Sequence, residues 1–350
     1  MTSETSSARG SDYAALSRQV REAGLLDRRP RYYAWKISLT AAALAAGWAA
    51  FAVIGNSWWQ LVDAVFLAAV FAQIGFLGHD AGHSQVFRSR RANTVLGIAC
   101  GNLGTGFSYD WWAAKHNRHH AHPNTEGADP DIMIGVLAFS AARVRTGRGI
   151  QRLLFRWQAY LLVPMLFLEA ASLHVSSIRK VTAPGCKHRA WEATLLAAHF
   201  AAYLGAVFFV LPPLKAVAFV LVQQGLFGFY LGCSFAPNHK GMPVLPASDN
   251  TDFLRRQVLT SRNVDGGWLT DFALGGLNYQ IEHHLFPSMP RPNLRRAQAL
   301  VVAFCADKDV PYAQTSLLGS YGQAFGHLAA VGRLARPARV GRPAPVPVQP

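Results

Sequence analysis

The sequence predicts a mostly α-helical integral-membrane protein, with four transmembrane helices in two hairpins and a cytosolic helical cap that holds a cluster of histidines. Three observations predict it. Four apolar runs approach the length of a bilayer crossing, basic residues cluster at the open ends of both pairs of runs, and eight histidines fall on that same basic side.

Composition sets the class. Of 350 residues, 51% are hydrophobic and only 15% charged, against the roughly 25% charged residues of soluble domains. The net charge of +15 does not indicate nucleic acid, because the basic residues sit beside apolar spans and form no aromatic-interleaved patch. Anionic lipid headgroups and the positive-inside bias account for it. Cys100, Cys186, Cys233 and Cys305 form no close pair and no CxxC, which argues against a disulfide framework or a thiolate metal site.

The elements follow in order. Residues 1–35 are a polar cytosolic segment in which Ser11 to Leu26 is amphipathic, with Tyr13, Leu16, Val20 and Leu25 near helical spacing. It lacks the short apolar core and cleavage site of a signal peptide. Residues 36–78 form the first hairpin, with runs Ile37 to Ile54 and Trp58 to Gly78 meeting at Gly55-Asn56-Ser57. Residues 190–237 form the second, with Trp191 to Leu211 and Ala216 to Pro237 meeting at Pro212-Pro213. Arg28, Arg29, Arg31, Lys36, Arg88, Arg90 and Arg91 mark the open end of the first hairpin, and Lys187, Arg189, Arg255 and Arg256 that of the second. These ends face the cytoplasm, which makes the cell membrane the expected location and the cytoplasmic side the expected side of the site.

Residues 79–152 are the first part of the cap. Within it, Asn93 to Phe107 is Gly-rich and too short to span, hence interfacial or re-entrant. Residues 153–189 hold one interfacial helix, Leu153 to Ile178, and a loop. That stretch carries Gln158, Glu169 and His174 and is basic at both ends, and a crossing here would put the histidines on opposite faces of the membrane. Residues 238–335 complete the cap, and the Pro- and Arg-rich tail 336–350 is expected to be disordered.

The histidines carry the chemistry. His79-Asp80-Ala81-Gly82-His83 places two imidazoles one helical turn apart, and His116-Asn117-Arg118-His119-His120 places three on one face. Gln280-Ile281-Glu282-His283-His284 repeats the second spacing with glutamine first, and His239 follows the last apolar run. One such motif is weak evidence; three on one side of a membrane are strong. His122, His174, His188, His199 and His327 read as loop, core or solvated residues. Seven or eight imidazoles exceed the four positions of a tetrahedral zinc, so two metals are implied. Imidazole without thiolate suits iron, copper, zinc or nickel, and a di-iron pair offers two electrons and open positions for O2. Asp80, Asp110, Asp129, Asp131 and Glu282 lie where they can accept the second ring N–H of a ligand histidine and fix its orientation.

HDAGH, KHNRHHAHPNTEGADPDI and NYQIEHHLFPSMPR resemble the three histidine boxes of the membrane fatty acid desaturase family, in the branch whose third box begins with Gln. The resemblance runs from about Gly24 to Ala299. It implies a four-span protein with a cytosolic site of two iron ions, O2 as oxidant and two external electrons per turnover. It implies His79, His83, His116, His119, His120, His283 and His284 as ligands, to which the position of His239 adds an eighth candidate. Gln280 stands where other desaturases have histidine, either on iron or hydrogen-bonded to a bound water. Relatives in this branch carry a fused cytochrome b5 domain with a His-Pro-Gly-Gly motif that is not matched here, so a separate ferredoxin or NAD(P)H-dependent reductase is the expected electron donor. The substrate is expected to be acyl-CoA or a membrane acyl lipid, with Arg255, Arg256, Arg262 and Lys240 as candidates for its phosphates.

The nearest alternative is a hydroxylase or ketolase of the same superfamily, which rebinds oxygen instead of removing a second hydrogen. A metalloprotease would need glutamate where Asp80 stands and leaves the other histidines unexplained. A haem carrier would place single histidines within paired spans, where only His199 lies.

Overall fold

A computed structural model describes residues 11–335; the expected disordered tail, 336–350, lies outside the described residues. Helix α1 (Asp12–Glu22) precedes α2 (Pro30–Ile54), α3 (Gln60–Gly82) and α4 (Arg90–Ile98), which continues into a π-helical segment (Ala99–Thr105). Next come α5 (Tyr109–Ala121), α6 (Ala141–Thr146), α7 (Ile150–Leu166), α8 (Glu169–Thr182), α9 (Arg189–Val210) and α10 (Pro213–His239). The described residues close with α11 (Phe253–Leu259), β1 (Asn263–Val264), α12 (Trp268–Ala273), α13 (Gln280–Leu285), α14 (Arg291–Asp307), β2 (Gln314–Thr315) and α15 (Leu317–Arg333). The two short strands pair in parallel, Asn263 with Gln314 and Val264 with Thr315.

Among the described residues four helices, α2, α3, α9 and α10, are long and apolar enough to cross a membrane. The core among them is aromatic, with Phe51, Phe71, Phe219 and Phe227 buried beside Leu67 and Val207. Position in this bundle is unequal: 61% of the most apolar stretch of α3 is buried within the protein, against 17% for α2. Helix α3 is therefore the axis, and its last turn carries His79. Helix α1 starts at Ser11, whose hydroxyl accepts from the amide of Ala14. Its buried Leu16 and Val20 pack with Leu254, Ile281 and Leu294, so the amphipathic face seen in the sequence roofs the region that holds the third histidine motif.

The stretch expected to be one interfacial helix, 153–178, is instead two helices, α7 and α8, bent by 82° at Phe167-Leu168. Pro164 sits in the last turn of α7, where it lacks an N–H to donate and its ring crowds the carbonyl one turn earlier. If the bent pair counts as one crossing, the described residues hold five candidate spans. The bend is seated on α10 at Gly228, where a Cβ would lie 2.7 Å from the Ala170 nitrogen and 3.0 Å from the Leu166 oxygen.

Glu192 joins the bundle to the second histidine motif. This fully buried carboxylate on α9 accepts from the amide of Asp110 at 2.9 Å, from the Ser108 hydroxyl at 2.5 Å and from the Asn102 side chain at 3.2 Å. Ser108 is also the residue that caps α5, accepting from the Trp111 amide. The start of the helix that carries His116, His119 and His120 is thus tied to a span.

The packing at Gly228 gives a direct test. Gly228→Val should destabilise the protein by about 1–3 kcal/mol, because backbone on both sides of the bend must move. Gly326→Ala on α15 meets nothing within 4 Å and should be neutral or stabilising by up to about 1 kcal/mol. Thermal unfolding in one detergent compares the two, and equal midpoints would refute the packing argument.

Candidate metal centre

Histidines from α3, α5, α10 and α13 converge in two groups. His79, His83, His116 and His283 form one and His119, His239 and His284 the other, with one ring nitrogen from each lying within 4.8 Å of the others in its group. His120 stands between them, its ring centroid 4.6 Å from that of His83 and 4.2 Å from that of His284, on which it stacks. Helix geometry explains the grouping, since residues three and four apart share a face. The approach of α13 depends on Gly275 and Gly276, whose φ values of 61° and 78° suit only glycine well, and where a Cβ would strike Phe76 or Arg291.

Hydrogen bonds fix the tautomers of the second group. The Nδ1–H of His119 donates to Asp129 at 3.0 Å, that of His239 to the carbonyl of Thr260 at 3.0 Å, and that of His284 to Oε1 of Gln257 at 2.9 Å. With the proton on Nδ1, each Nε2 presents a lone pair, and that of His239 is also approached by the Gln280 amide nitrogen at 2.9 Å. His239 Nε2 lies 3.3 Å from His119 Nε2 and 3.1 Å from His284 Nε2. Three lone pairs thus face one another, an arrangement that a shared cation relieves. Metal–imidazole bonds of about 2.1 Å place adjacent ligand nitrogens about 3 Å apart, so the spacing fits.

The first group shows the same chemistry. His79 Nε2 lies 3.2 Å from His116 Nε2, and that atom 3.1 Å from His120 Nε2. Nε2 of His83, Nε2 of His283 and Nδ1 of His120 are buried without a hydrogen-bond partner, a costly state for a polar atom unless a ligand occupies it. Burial, reinforced by neighbouring imidazoles, pushes the pKa values of His83, His116, His120, His283 and His284 well below the ordinary range. The neutral rings are the form that binds metal. The clusters are compatible with an iron site.

The acidic residues divide. Asp129 is fully buried at His119 and also accepts from the amides of Asn124 and Asp131. Burial opposes its charge, but the hydrogen bond from His119 holds its carboxyl below the usual range. Asp80 is committed elsewhere: it pairs with Arg291 at 2.7 Å and accepts from Tyr33, while its nearest approach to the His79 ring is 3.6 Å. Glu282 faces away from the histidine rings and accepts from Asn263 and Tyr312, each at 2.7 Å, and burial pushes its pKa up. The reason is helical: α13 turns about 100° per residue, so when His283 and His284 together face the cluster, Glu282 falls on the far side, toward Asn263 and Tyr312. Asp110 pairs with Lys180 at 3.0 Å and Asp131 with Lys115 at 2.5 Å.

Gln280 joins the second group, its side-chain nitrogen 2.9 Å from His239 Nε2 and its oxygen accepting from Asn238 at 3.1 Å. Gln257 and Asn124 were not foreseen. Gln257 holds His284 and also donates to the carbonyl of His120; Asn124 donates to the carbonyl of His239. No motif marks either in the sequence; only the fold brings them to the histidines. Arg262 also departs from expectation. It is fully buried and donates to the carbonyls of Pro237 and Lys240, so it closes the end of α10 instead of facing a substrate phosphate. Arg255 is paired with Asp12 and Asp252.

The remaining histidines lie apart. His199 faces the carbonyl of Leu103 within the π-helical segment, and His174 that of Gly106 just after it. His122 and His188 are exposed.

Residues 56–316 match the family model described as fatty acid desaturase. The chain is 34% identical over 267 residues to an acyl-lipid (9-3)-desaturase of Physcomitrium patens, covering 73% of this chain and half the length of that relative. It is 31% identical over 312 residues to a Delta(8)-fatty-acid desaturase of Euglena gracilis, covering 86% and 74% of the two chains. It is 31% identical over 318 residues to a Delta(5) fatty acid desaturase of Caenorhabditis elegans, covering 86% and 69%.

Substitutions separate the converging histidines from the bystanders. His79→Ala, His116→Ala, His120→Ala or His284→Ala should remove bound iron and activity while leaving membrane insertion intact. His122→Ala and His188→Ala should retain most of both. Iron content and product yield check this division, and equal losses in the two sets would refute it.

Proposed function

The chain belongs to the fatty acid desaturase family, and from that premise we propose an O2-dependent desaturase that works on an acyl-CoA or membrane acyl lipid through two iron ions. The observation that carries the proposal is the facing set of lone pairs on His119, His239 and His284, beside a second group of buried, partnerless imidazole nitrogens. Two irons would supply two electrons and open positions for O2. Across a turnover, two hydrogens leave adjacent methylenes, O2 is reduced to two waters, and two further electrons and two protons come from outside.

The protein's own residues do three things. His79, His83, His116 and His283 would hold one iron, His119, His239 and His284 the other, and His120 would stand between them. Asp129, Gln257 and the Thr260 carbonyl orient the second set by taking its Nδ1 protons. A cavity of about 160 Å³ lined by His79, His116, His119, His239, Phe107 and Leu231 would bring the methylenes to the metals. Gln280 would contribute a hydrogen-bonding amide beside the second set, its nitrogen turned to His239 and its oxygen to Asn238. Basic residues at the open ends of α2, α3, α9 and α10 support a site on the cytoplasmic face of the cell membrane. There a ferredoxin-type protein or an NAD(P)H-dependent reductase would deliver electrons to a basic surface.

Protein expressed with ample iron should contain about two irons per chain and form a carbon–carbon double bond when a donor is supplied. Tightly bound zinc with no iron would overturn the metal assignment, and a hydroxylated product would replace desaturation with the rival reaction. For Gln280→His, the added imidazole should crowd the second set and slow turnover. Full activity with unchanged iron would show that position 280 serves as a ligand.

A further inference from the structure

The cavity beside the histidines carries a cluster of charges that the di-iron chemistry does not use. Lys115, Asp131, Glu169 and Lys240 all line it, together with His119 and His239. They gather around Asp131, which pairs with Lys115 and lies 3.6 Å from the His119 ring, while the Lys240 ammonium donates to the Asp131 carbonyl at 2.9 Å. The rest of the wall is different in kind: Gly97 and Gly101 lie against Tyr109, and Phe107, Leu173 and Leu231 are apolar. A saturated chain is at ease among the second set of residues and not among the first.

Asp131 and Lys115 neutralise each other. The other two charges, Glu169 and Lys240, have no close ion pair of their own among the described residues and feel each other and the Lys115–Asp131 pair only through space. The Lys240 ammonium has only a carbonyl and the face of Phe139, 4.2 Å from the ring centroid. The Glu169 carboxylate, at the first residue of α8, makes no hydrogen bond or ion pair among the described residues. Both are partly shielded from solvent. A partly shielded charge with no close ion pair leaves hydrogen-bonding capacity that a ligand can complete. The bend between α7 and α8 is what turns Glu169 into the cavity, so the break at Phe167-Leu168 has a use.

Resting on the desaturase reading above, we propose that Glu169 and Lys240 bind the polar end of the acyl substrate, Lys240 donating to its ester or thioester carbonyl and Glu169 accepting from a nitrogen-borne N–H of its carrier. The cysteamine amide of an acyl-CoA and the ammonium of phosphatidylethanolamine both offer that N–H. Anchoring the carboxyl end next to His119 and His239 fixes how many carbons lie between the head and the irons. Glu169 and Lys240 are therefore specificity-determining residues for the position of the double bond.

The test uses the full-length protein in membranes with reduced ferredoxin, given either oleoyl-CoA or vesicles of dioleoyl phosphatidylethanolamine, and reads double-bond position by mass spectrometry. Wild type should place its new bond at a single position. Glu169→Leu and Lys240→Met should retain iron, spread the product onto neighbouring carbons and raise the apparent KM about ten-fold, as expected for loss of a charged hydrogen bond. Glu169→Gln keeps an acceptor oxygen, so it should hold the wild-type position with a smaller rise in KM. The substrate on which the substitutions act identifies the carrier. Unchanged position and KM in Glu169→Leu and Lys240→Met overturn the proposal, and if either loses iron, an unchanged KM in Glu169→Gln does so. A wild type that makes no double bond from either probe overturns the desaturase reading itself, and the anchor with it.

Discussion

Convergence of bare imidazole nitrogens is the constraint on which the rest of the structure depends. A neutral histidine has one donor and one acceptor nitrogen, and which is which depends on the partner of the other. In the second group each Nδ1 proton is taken, by Asp129, the Thr260 carbonyl or Gln257, and each Nε2 is left facing inward. Such a cluster repels itself unless a cation completes it. The surrounding helices must hold it by force of packing and hydrogen bonding.

That holding is done by buried polar contacts that run between distant parts of the chain. Glu192 ties the first turn of α5 to α9, Arg291 ties Asp80 on α3 to the start of α14, and Arg262 closes the end of α10 just beyond Pro237. Each joins a histidine-bearing helix to an element far away in sequence. Burial of a charge is tolerated in these places because every one is met by an opposite charge or by several aligned dipoles. Asp80 illustrates how such demands compete: its neighbour is a histidine, yet the guanidinium of Arg291 offers a stronger, charge-assisted partner at 2.7 Å.

The bend between α7 and α8 shows how a feature that looks like a defect in a span positions the site. Pro164 weakens the end of α7, Gly228 lets the broken turn sit flat on α10, and Glu169 begins the new helix facing the cavity. A straight helix over the same residues would carry Glu169 along an apolar axis, where a carboxylate has no place.

The sequence by itself determined what depends on local spacing and on apolar length. The four long apolar runs and the i, i+3 and i+4 spacing of the histidines are written in consecutive residues, and so are the helices that contain them, because span length and helical periodicity are properties of short segments. The amphipathic start of the chain was legible for the same reason. The tertiary structure decided what depends on partners far apart: that Asp80 serves Arg291 and Glu282 serves Tyr312, that Gln257 and Asn124 hold histidines, that Arg262 is buried, and that 153–178 is two helices and not one. Hydrogen-bond partners separated by dozens or hundreds of residues leave no periodic trace, and a carboxylate next to a histidine in sequence points wherever the strongest available donor lies in space.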